Sequence, residues 1–214
     1  MKDIGGDMPT RATVLITFEG PDGSGKTTQF TEAVGYLKTS GFKVLPIREP
    51  GGTPAGEAIR TVLLHEANMV AKTELLLFMA ARAENYHTVI KNAFGEYDII
   101  ISDRSIDSSV AYQGFARGIP VEEIKWLNRF STSGITPDVT YLMDLETPLA
   151  ALRMKDDLDR MEQEGLAFQE KVRQGFLQLA REEPERFVVI DGNLPVDECS
   201  RAIREDMNRR FSEF

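Results

Sequence analysis

Apolar residues in this chain come in short runs set between longer stretches of mixed polarity. Five runs, Val14–Phe18, Lys43–Ile47, Asp98–Ser102, Val139–Met143 and Phe187–Ile190, read as strands. Most are too uniformly apolar to alternate, as expected of strands covered on both faces. Helical spacing predicts helices over Lys26–Thr39, closed by Gly41, and over Thr73–Phe94, Val121–Ser131 and Met161–Arg181. Strand alternating with helix predicts an α/β fold of three layers, a mainly parallel five-stranded sheet with helices on both faces. Ligands of such a sheet lie beyond the carboxyl ends of its strands.

The 214 residues suit one sizeable core, and no linker or repeat divides them. The expectation is a flexible arm over residues 1–12 and one domain over 13–214. Met1–Ala12 lacks the apolar core of a secretory signal, and no run approaches a membrane span. The single cysteine, Cys199, excludes an intrachain disulfide and a cysteine-based zinc cluster. Together these features point to the cytoplasm. With 25 Lys+Arg against 34 Asp+Glu the net charge is −9, unsuited to nonspecific binding of nucleic acid or anionic membrane. Any phosphate chemistry must then use local concentrations of arginine and lysine.

The strongest motif supplies such a place. Gly20-Pro21-Asp22-Gly23-Ser24-Gly25-Lys26-Thr27 fits G-x-x-x-x-G-K-[ST] and lies between the first strand and a helix, the context of a phosphate-binding P-loop. Its glycines let successive N–H groups turn inward onto phosphate oxygens, and the helix N-terminus adds a positive field. Lys26 is expected to bridge the β- and γ-phosphates of ATP, with Thr27, followed by Thr28, directing its hydroxyl to Mg²⁺. The fold class is then a P-loop NTPase fold. No Asn-Lys-x-Asp-type guanine loop follows, and the chain has no room for the extra domains of a mechanical ATPase. A small-molecule kinase is the remaining reading.

Four later segments carry candidate charges. Arg48-Glu49-Pro50-Gly51-Gly52-Thr53 leaves the second strand as a rigid turn, either a solvated one or one wall of an acceptor site. Arg82 falls on an apolar helix face with Leu75, Phe78, Tyr86 and Val89. A charge there needs an ion pair or a bound anion, and an acceptor pocket with Phe78 beneath the base explains it best. Asp103-Arg104 follows the third strand where a carboxylate assists Mg²⁺, unless it caps a helix. Arg153 to Glu162 is either a solvated charged run or a lid, set at about 150–163; in it Asp159 and Glu162 share one helix face.

At these residues the sequence resembles the thymidylate kinase family, from about Val14 to Gly192. The likeness runs through Phe18-Glu19-Gly20 to Thr28, Arg48 to Thr53, Ala80-Ala81-Arg82-Ala83, Asp103-Arg104…Ser108-Ser109…Ala111-Tyr112-Gln113-Gly114 and Leu158-Asp159-Arg160-Met161-Glu162. The resemblance implies phosphoryl transfer from Mg·ATP to thymidine monophosphate in the making of thymidine triphosphate. It implies that Asp22 bonds the sugar 3′-hydroxyl, Phe78 stacks on thymine and Tyr112 lies beside the deoxyribose. Arg82 and Ser109 would meet the base edge, Arg48 and Arg104 the acceptor phosphate, and Glu49, Pro50, Asp159 and Glu162 would complete that site. It further implies adenine near Asp191–Pro195 and a homodimer.

The P-loop has no arginine, so the chain resembles the group with a catalytic arginine in the lid, Arg153 or Arg160, supported by Lys155. Ser105 stands where the family usually has an aromatic residue or histidine, and is expected to remove a ring from the acceptor side. The lid is more acidic than usual, at Asp156 and Asp157. A kinase for another monophosphate, or a catalytically silent nucleotide-binding protein, are the alternatives.

Overall fold

The computed structural model describes residues 13–66, 68–154 and 160–211. The arm expected over residues 1–12, and the lid positions Lys155 to Asp159, lie outside the described residues. Five strands, β1 (Val14–Glu19), β2 (Val44–Arg48), β3 (Ile99–Asp103), β4 (Val139–Asp144) and β5 (Phe187–Asp191), form one sheet in the order β2-β3-β1-β4-β5. Every pairing is parallel. The chain leaves β1 between two neighbours reached by separate crossovers, the topological switch point where open α/β sheets bind ligands.

Alternation along β1 decides which helices it meets. Val14, Ile16 and Phe18 face the layer of α1 (Lys26–Thr39) and α9 (Val196–Arg210), packing with Ala33, Leu37, Ile203 and Met207. Leu15 points the other way, with Ile100 and Ile47, toward Tyr86, Ile90 and Ala93. A third cluster joins Leu142 to α3 (Ala71–Asn85), α6 (Val121–Ser131) and α8 (Leu166–Glu182) through Met79, Ile124, Val172 and Phe176. No helix among the described residues is long and apolar enough to cross a membrane.

The observed strands match the predicted runs to within a residue at either end, and α1 and α6 have the predicted bounds. Other helices depart from the pattern for identifiable reasons. The segment predicted as one helix over Thr73–Phe94 is α3, then a π-helical turn over Tyr86–Ile90, then a short α4 (Lys91–Ala93). A second π-helical stretch, Val110–Ala116, continues the short α5 (Ile106–Ser109). Between α6 and α8, the brief α7 (Thr147–Arg153) follows β4. Apolar periodicity does not reveal π turns, because one extra residue shifts the buried face.

Besides the short α5 and α7, two helices were not predicted. One is α2 (Pro54–His65), whose Thr53 hydroxyl accepts from Gly56 N–H at 2.9 Å with Pro54 in the first turn, an N-terminus readable in the sequence. The other is α9, which is strongly polar and buries a narrow strip of Cys199, Ile203 and Met207.

Candidate active site

Strand register assembles the site. Asp103 lies level with Phe18 on one side and Arg48 on the other, so three chain segments distant in sequence leave the sheet side by side. The P-loop then turns from β1 into α1. Gly20 and Gly23 have φ of 148° and 77°, and a β-carbon on either would collide with the carbonyl oxygen of Met143 or Ala150. Only glycine lets the loop lie this close to the segments after β4.

Two cavities flank the loop. One, of about 910 Å³, is lined by the whole of Pro21–Thr28, by Arg153 and Met154, and by Gly192–Val196. The segment expected near adenine thus forms the far wall. The second, of about 470 Å³, collects Arg48, Glu49, Pro50, Phe78, Asp103 and Arg104, with Ser109 and Tyr112. Asp22, Lys26, Thr27 and Glu162 line both cavities. The two spaces meet over the lysine of the P-loop.

Charges at that junction are paired in advance. Lys26 Nζ donates to Asp103 Oδ1 at 2.5 Å, and the Thr27 hydroxyl donates to Asp103 Oδ2 at 3.3 Å. Burial pushes the Lys26 ammonium below its ordinary pKa, and Arg104 adds to this; Asp103 works in the opposite sense. Burial by itself would raise the Asp103 carboxyl, but Lys26 and Arg104 hold it below the usual range. Arg104 adopts φ 69°, a left-handed conformation uncommon outside glycine. Its guanidinium donates to Gly20 O at 3.0 Å, Ser108 Oγ at 3.1 Å and Asp22, while the Tyr112 hydroxyl donates to Asp22 at 2.7 Å. Arg48 is held by both oxygens of Glu57, at 2.9 and 2.8 Å.

Arg82 is in a different place from the one its role in the resemblance suggests. It is 2% exposed, does not line the acceptor-side cavity, and donates to Glu49 at 2.7 Å, Asn128 at 2.6 Å, Ser109 at 3.0 Å and the Ser105 carbonyl at 2.8 Å. It holds two cavity residues, Glu49 and Ser109, from behind. Burial raises the Glu49 carboxyl even with Arg82 beside it. Ser105 also faces inward: it is fully buried, its hydroxyl 3.0 Å from the Tyr86 hydroxyl. Ser105 does not line the acceptor-side cavity, so it puts no ring and no side chain of its own on that wall.

The lid candidates separate as well. Arg153, at the end of α7, lines the larger cavity and donates to Gly192 O at 3.0 Å. Arg160 points away from the P-loop, donating to Leu63 O at 2.9 Å and to Glu74 at 2.7 Å. Asp159 lies outside the described residues.

Several residues were given no role by the sequence reading. Glu19, fully buried, accepts from Ser105 N–H at 2.8 Å and the Ser108 hydroxyl at 2.5 Å, and burial together with Asp107 pushes its carboxyl up to about 7. Gln113, Leu64 and Met161 line the acceptor-side cavity. Consecutive Tyr112 and Gln113, both within the π-helical stretch over Val110–Ala116, line it together. A glutamate within an otherwise apolar strand, and a glutamate on an apolar helix face, were the available signals.

A P-loop with a donor-side and an acceptor-side cavity meeting over its lysine defines a small-molecule phosphotransferase of the nucleoside monophosphate kinase type. The thymidylate kinase family model matches residues 18–203, and the chain belongs to that family. It is 46% identical over 193 residues to the thymidylate kinase of Kosmotoga olearia, covering 89% of this chain and 93% of that protein. It is also 46% identical over 200 residues to the thymidylate kinase of Thermosipho africanus, covering 92% and 99%. The crystal structure of thymidylate kinase from Ehrlichia chaffeensis superposes with a TM-score of 0.75 at 33% identity, covering 91% of this chain and 98% of that one. Its activity is thymidylate kinase activity.

The Arg82 cluster generates a stability prediction. Arg82→Ala leaves the Glu49 carboxylate buried without its cation and is expected to cost about 3–5 kcal/mol in urea unfolding. A loss below about 1 kcal/mol, the value for exposed pairs, would contradict this burial.

Proposed function

We propose that the chain moves the γ-phosphoryl group of Mg·ATP onto thymidine monophosphate, giving thymidine diphosphate and ADP for thymidine triphosphate synthesis in the cytoplasm. The observation that carries this reading is the junction of the two cavities at Asp22, Lys26, Thr27 and Glu162. Donor and acceptor bound on either side would present their phosphates to each other there, so binding energy does the work of alignment. In this reading, inward N–H groups from Gly20 to Thr28 hold the donor phosphates. Lys26 follows the charge that shifts from the γ-phosphoryl to the β-phosphate oxygen.

The Thr27 hydroxyl and the Asp103 carboxylate are hard oxygen donors suited to Mg²⁺, directly or through its waters. No cluster of three or more His, Cys, Asp or Glu side chains among the described residues could cage a metal, which fits a cation held largely by nucleotide phosphates. Bound Mg²⁺ would neutralise phosphate charge; Thr27 and Asp103 would orient it.

On the acceptor side, Arg48 and Arg104 take the phosphate, exchanging part of their present pairing with Glu57 and Asp22 for it. Asp22 accepts from the sugar 3′-hydroxyl. Phe78 stacks on thymine, Tyr112 crowds the 2′ position, and Arg82 acts on the base edge through the Ser109 it holds. Glu49 and Pro50 form part of the cavity wall, Glu162 reaches it from the junction of the cavities, and Asp159 is a further acceptor-binding candidate. Arg153 is the lid arginine of this chain, because it already lies in the donor-side cavity.

A homodimer is proposed through α3 and α6. These neighbouring helices expose Leu76, Trp126 and Phe130, at 58%, 62% and 73%, with the two rings stacked at 5.7 Å. Apolar surface of this kind commonly marks an association face.

The function is tested by ADP release with Mg·ATP and a panel of nucleoside monophosphates. Thymidine monophosphate is expected to give the highest kcat/KM, and Lys26→Ala to lower kcat by about two orders of magnitude or more. Near-normal turnover in that variant would sink the mechanism. Arg153→Ala is expected to lower kcat about a hundredfold with acceptor KM little changed, whereas Arg160→Ala acts mainly on acceptor KM. The reverse pattern would move the lid role to Arg160. In sedimentation velocity the wild type is expected to run as a dimer and Trp126→Glu as a monomer; a monomeric wild type removes the dimer reading.

A further inference from the structure

One helix face carries two buried charge clusters with the proposed base platform between them. Phe78 lies on the acceptor-side cavity, and four residues along α3 in one direction is Arg82, with its partner Glu49. Four residues in the other direction is Glu74, whose side chain is fully buried. Residues spaced by four share a helix face. The face thus reads carboxylate, aromatic ring, guanidinium, and the carboxylate has no place in the reaction as described so far.

Glu74 gathers groups from two distant parts of the chain. Its Oε1 accepts from Gln113 Nε2 at 2.9 Å and from Arg117 Nε at 3.2 Å. Its Oε2 accepts from Arg117 Nη2 at 3.1 Å and from Arg160 Nη1 at 2.7 Å. Arg160 in turn donates its Nε to Leu63 O at 2.9 Å and its backbone N–H to Leu64 O at 3.2 Å, satisfying carbonyls at the end of α2. Arg117 is further balanced by Glu164 at 2.5 Å and lies over the Phe168 ring at 4.6 Å. Burial alone would raise the Glu74 carboxyl, yet hydrogen bonds from Arg117, Gln113 and Arg160 hold it below its ordinary value.

The consequence lies in what these partners line. Gln113, Leu64 and Met161 are wall residues of the acceptor-side cavity, and each is tied to Glu74 directly or through Arg160. We propose that Glu74 is a positioning residue for acceptor recognition, fixing through Gln113, Arg117 and Arg160 the wall that closes against the base on Phe78. This rests on the reading of that cavity as the acceptor site. The hydrogen bonds of Glu74 run to Gln113, Arg117 and Arg160 and not to the phosphate-facing Arg104, so its effect is expected on the nucleoside part of the acceptor rather than on its phosphate.

Calorimetric binding of thymidine, which has no phosphate, tests this without turnover. Glu74→Gln is expected to weaken thymidine binding about tenfold and to raise the KM for thymidine monophosphate by a similar factor, with the KM for ATP within about twofold of wild type. A role confined to stability would lower Tm and leave these ratios alone. Should Glu74→Gln fail to fold, Arg160→Gln leaves Glu74 balanced by Arg117 and is expected to weaken thymidine binding in the same direction. If both variants act through one contact, their combined effect falls short of the sum. Phe78→Ala is the reference. Weakened thymidine binding in Phe78→Ala, with Glu74→Gln or its substitute unchanged, overturns the role of Glu74 alone. Unchanged binding in Phe78→Ala itself overturns the acceptor-site reading, and the proposal with it.

Discussion

A site built to bind phosphates must keep cationic side chains partly out of water before any phosphate arrives. An unpaired buried charge is very costly, so each cation needs a carboxylate at hydrogen-bonding distance. That constraint organises this molecule. Lys26 is matched by Asp103, Arg104 by Asp22, Arg82 by Glu49, and Arg117 and Arg160 by Glu74. The chain is acidic overall, yet Arg48, Arg60, Arg104 and Arg153 line the two cavities beside the P-loop.

These pairs are of two kinds. Lys26–Asp103 and Arg104–Asp22 line open cavities, so an incoming phosphate or cation can compete for their members. Arg82–Glu49 is more deeply buried, each side chain less than 5% exposed, with Glu49 at the cavity wall and Arg82 holding it and Ser109 from behind. In the proposed function the pairs on the cavity walls would supply charge for phosphoryl transfer, and the more deeply buried ones would hold the shape of the pocket. Mutating the second kind disturbs folding and recognition together, since removal of one partner strands the other.

The sheet makes the arrangement possible at low cost in backbone order. With β1 central and every strand parallel, loops after β1, β2 and β3 emerge on one edge, and register sets Phe18, Arg48 and Asp103 level. The two glycines closest to the β4 side then let the P-loop press against neighbouring carbonyls. Catalytic geometry is thereby inherited from strand pairing rather than from loop conformation alone.

The local pattern determined a good deal. Short apolar runs marked all five strands, the P-loop motif marked the phosphate loop, and Arg48, Phe78, Arg104, Ser109 and Tyr112, singled out through the family resemblance, line one cavity. These are properties of short segments, where periodicity and glycine placement act within a few residues. Tertiary structure alone decided which way charged side chains turn. Arg82 and Phe78 share a face by sequence, yet only the packing of α3 against Glu49, Asn128 and Ser105 puts one behind the cavity and the other on it. Arg153 and Arg160 look equivalent in a charged run, but one lies in the donor-side cavity and the other against Glu74, eighty-six positions away in the chain. Ser105, where the sequence marks only an absent ring, turns inward as a buried residue beside Tyr86. Pairing between distant charges depends on contacts that no local spacing encodes, because the partner is supplied by a different element once the layers have packed.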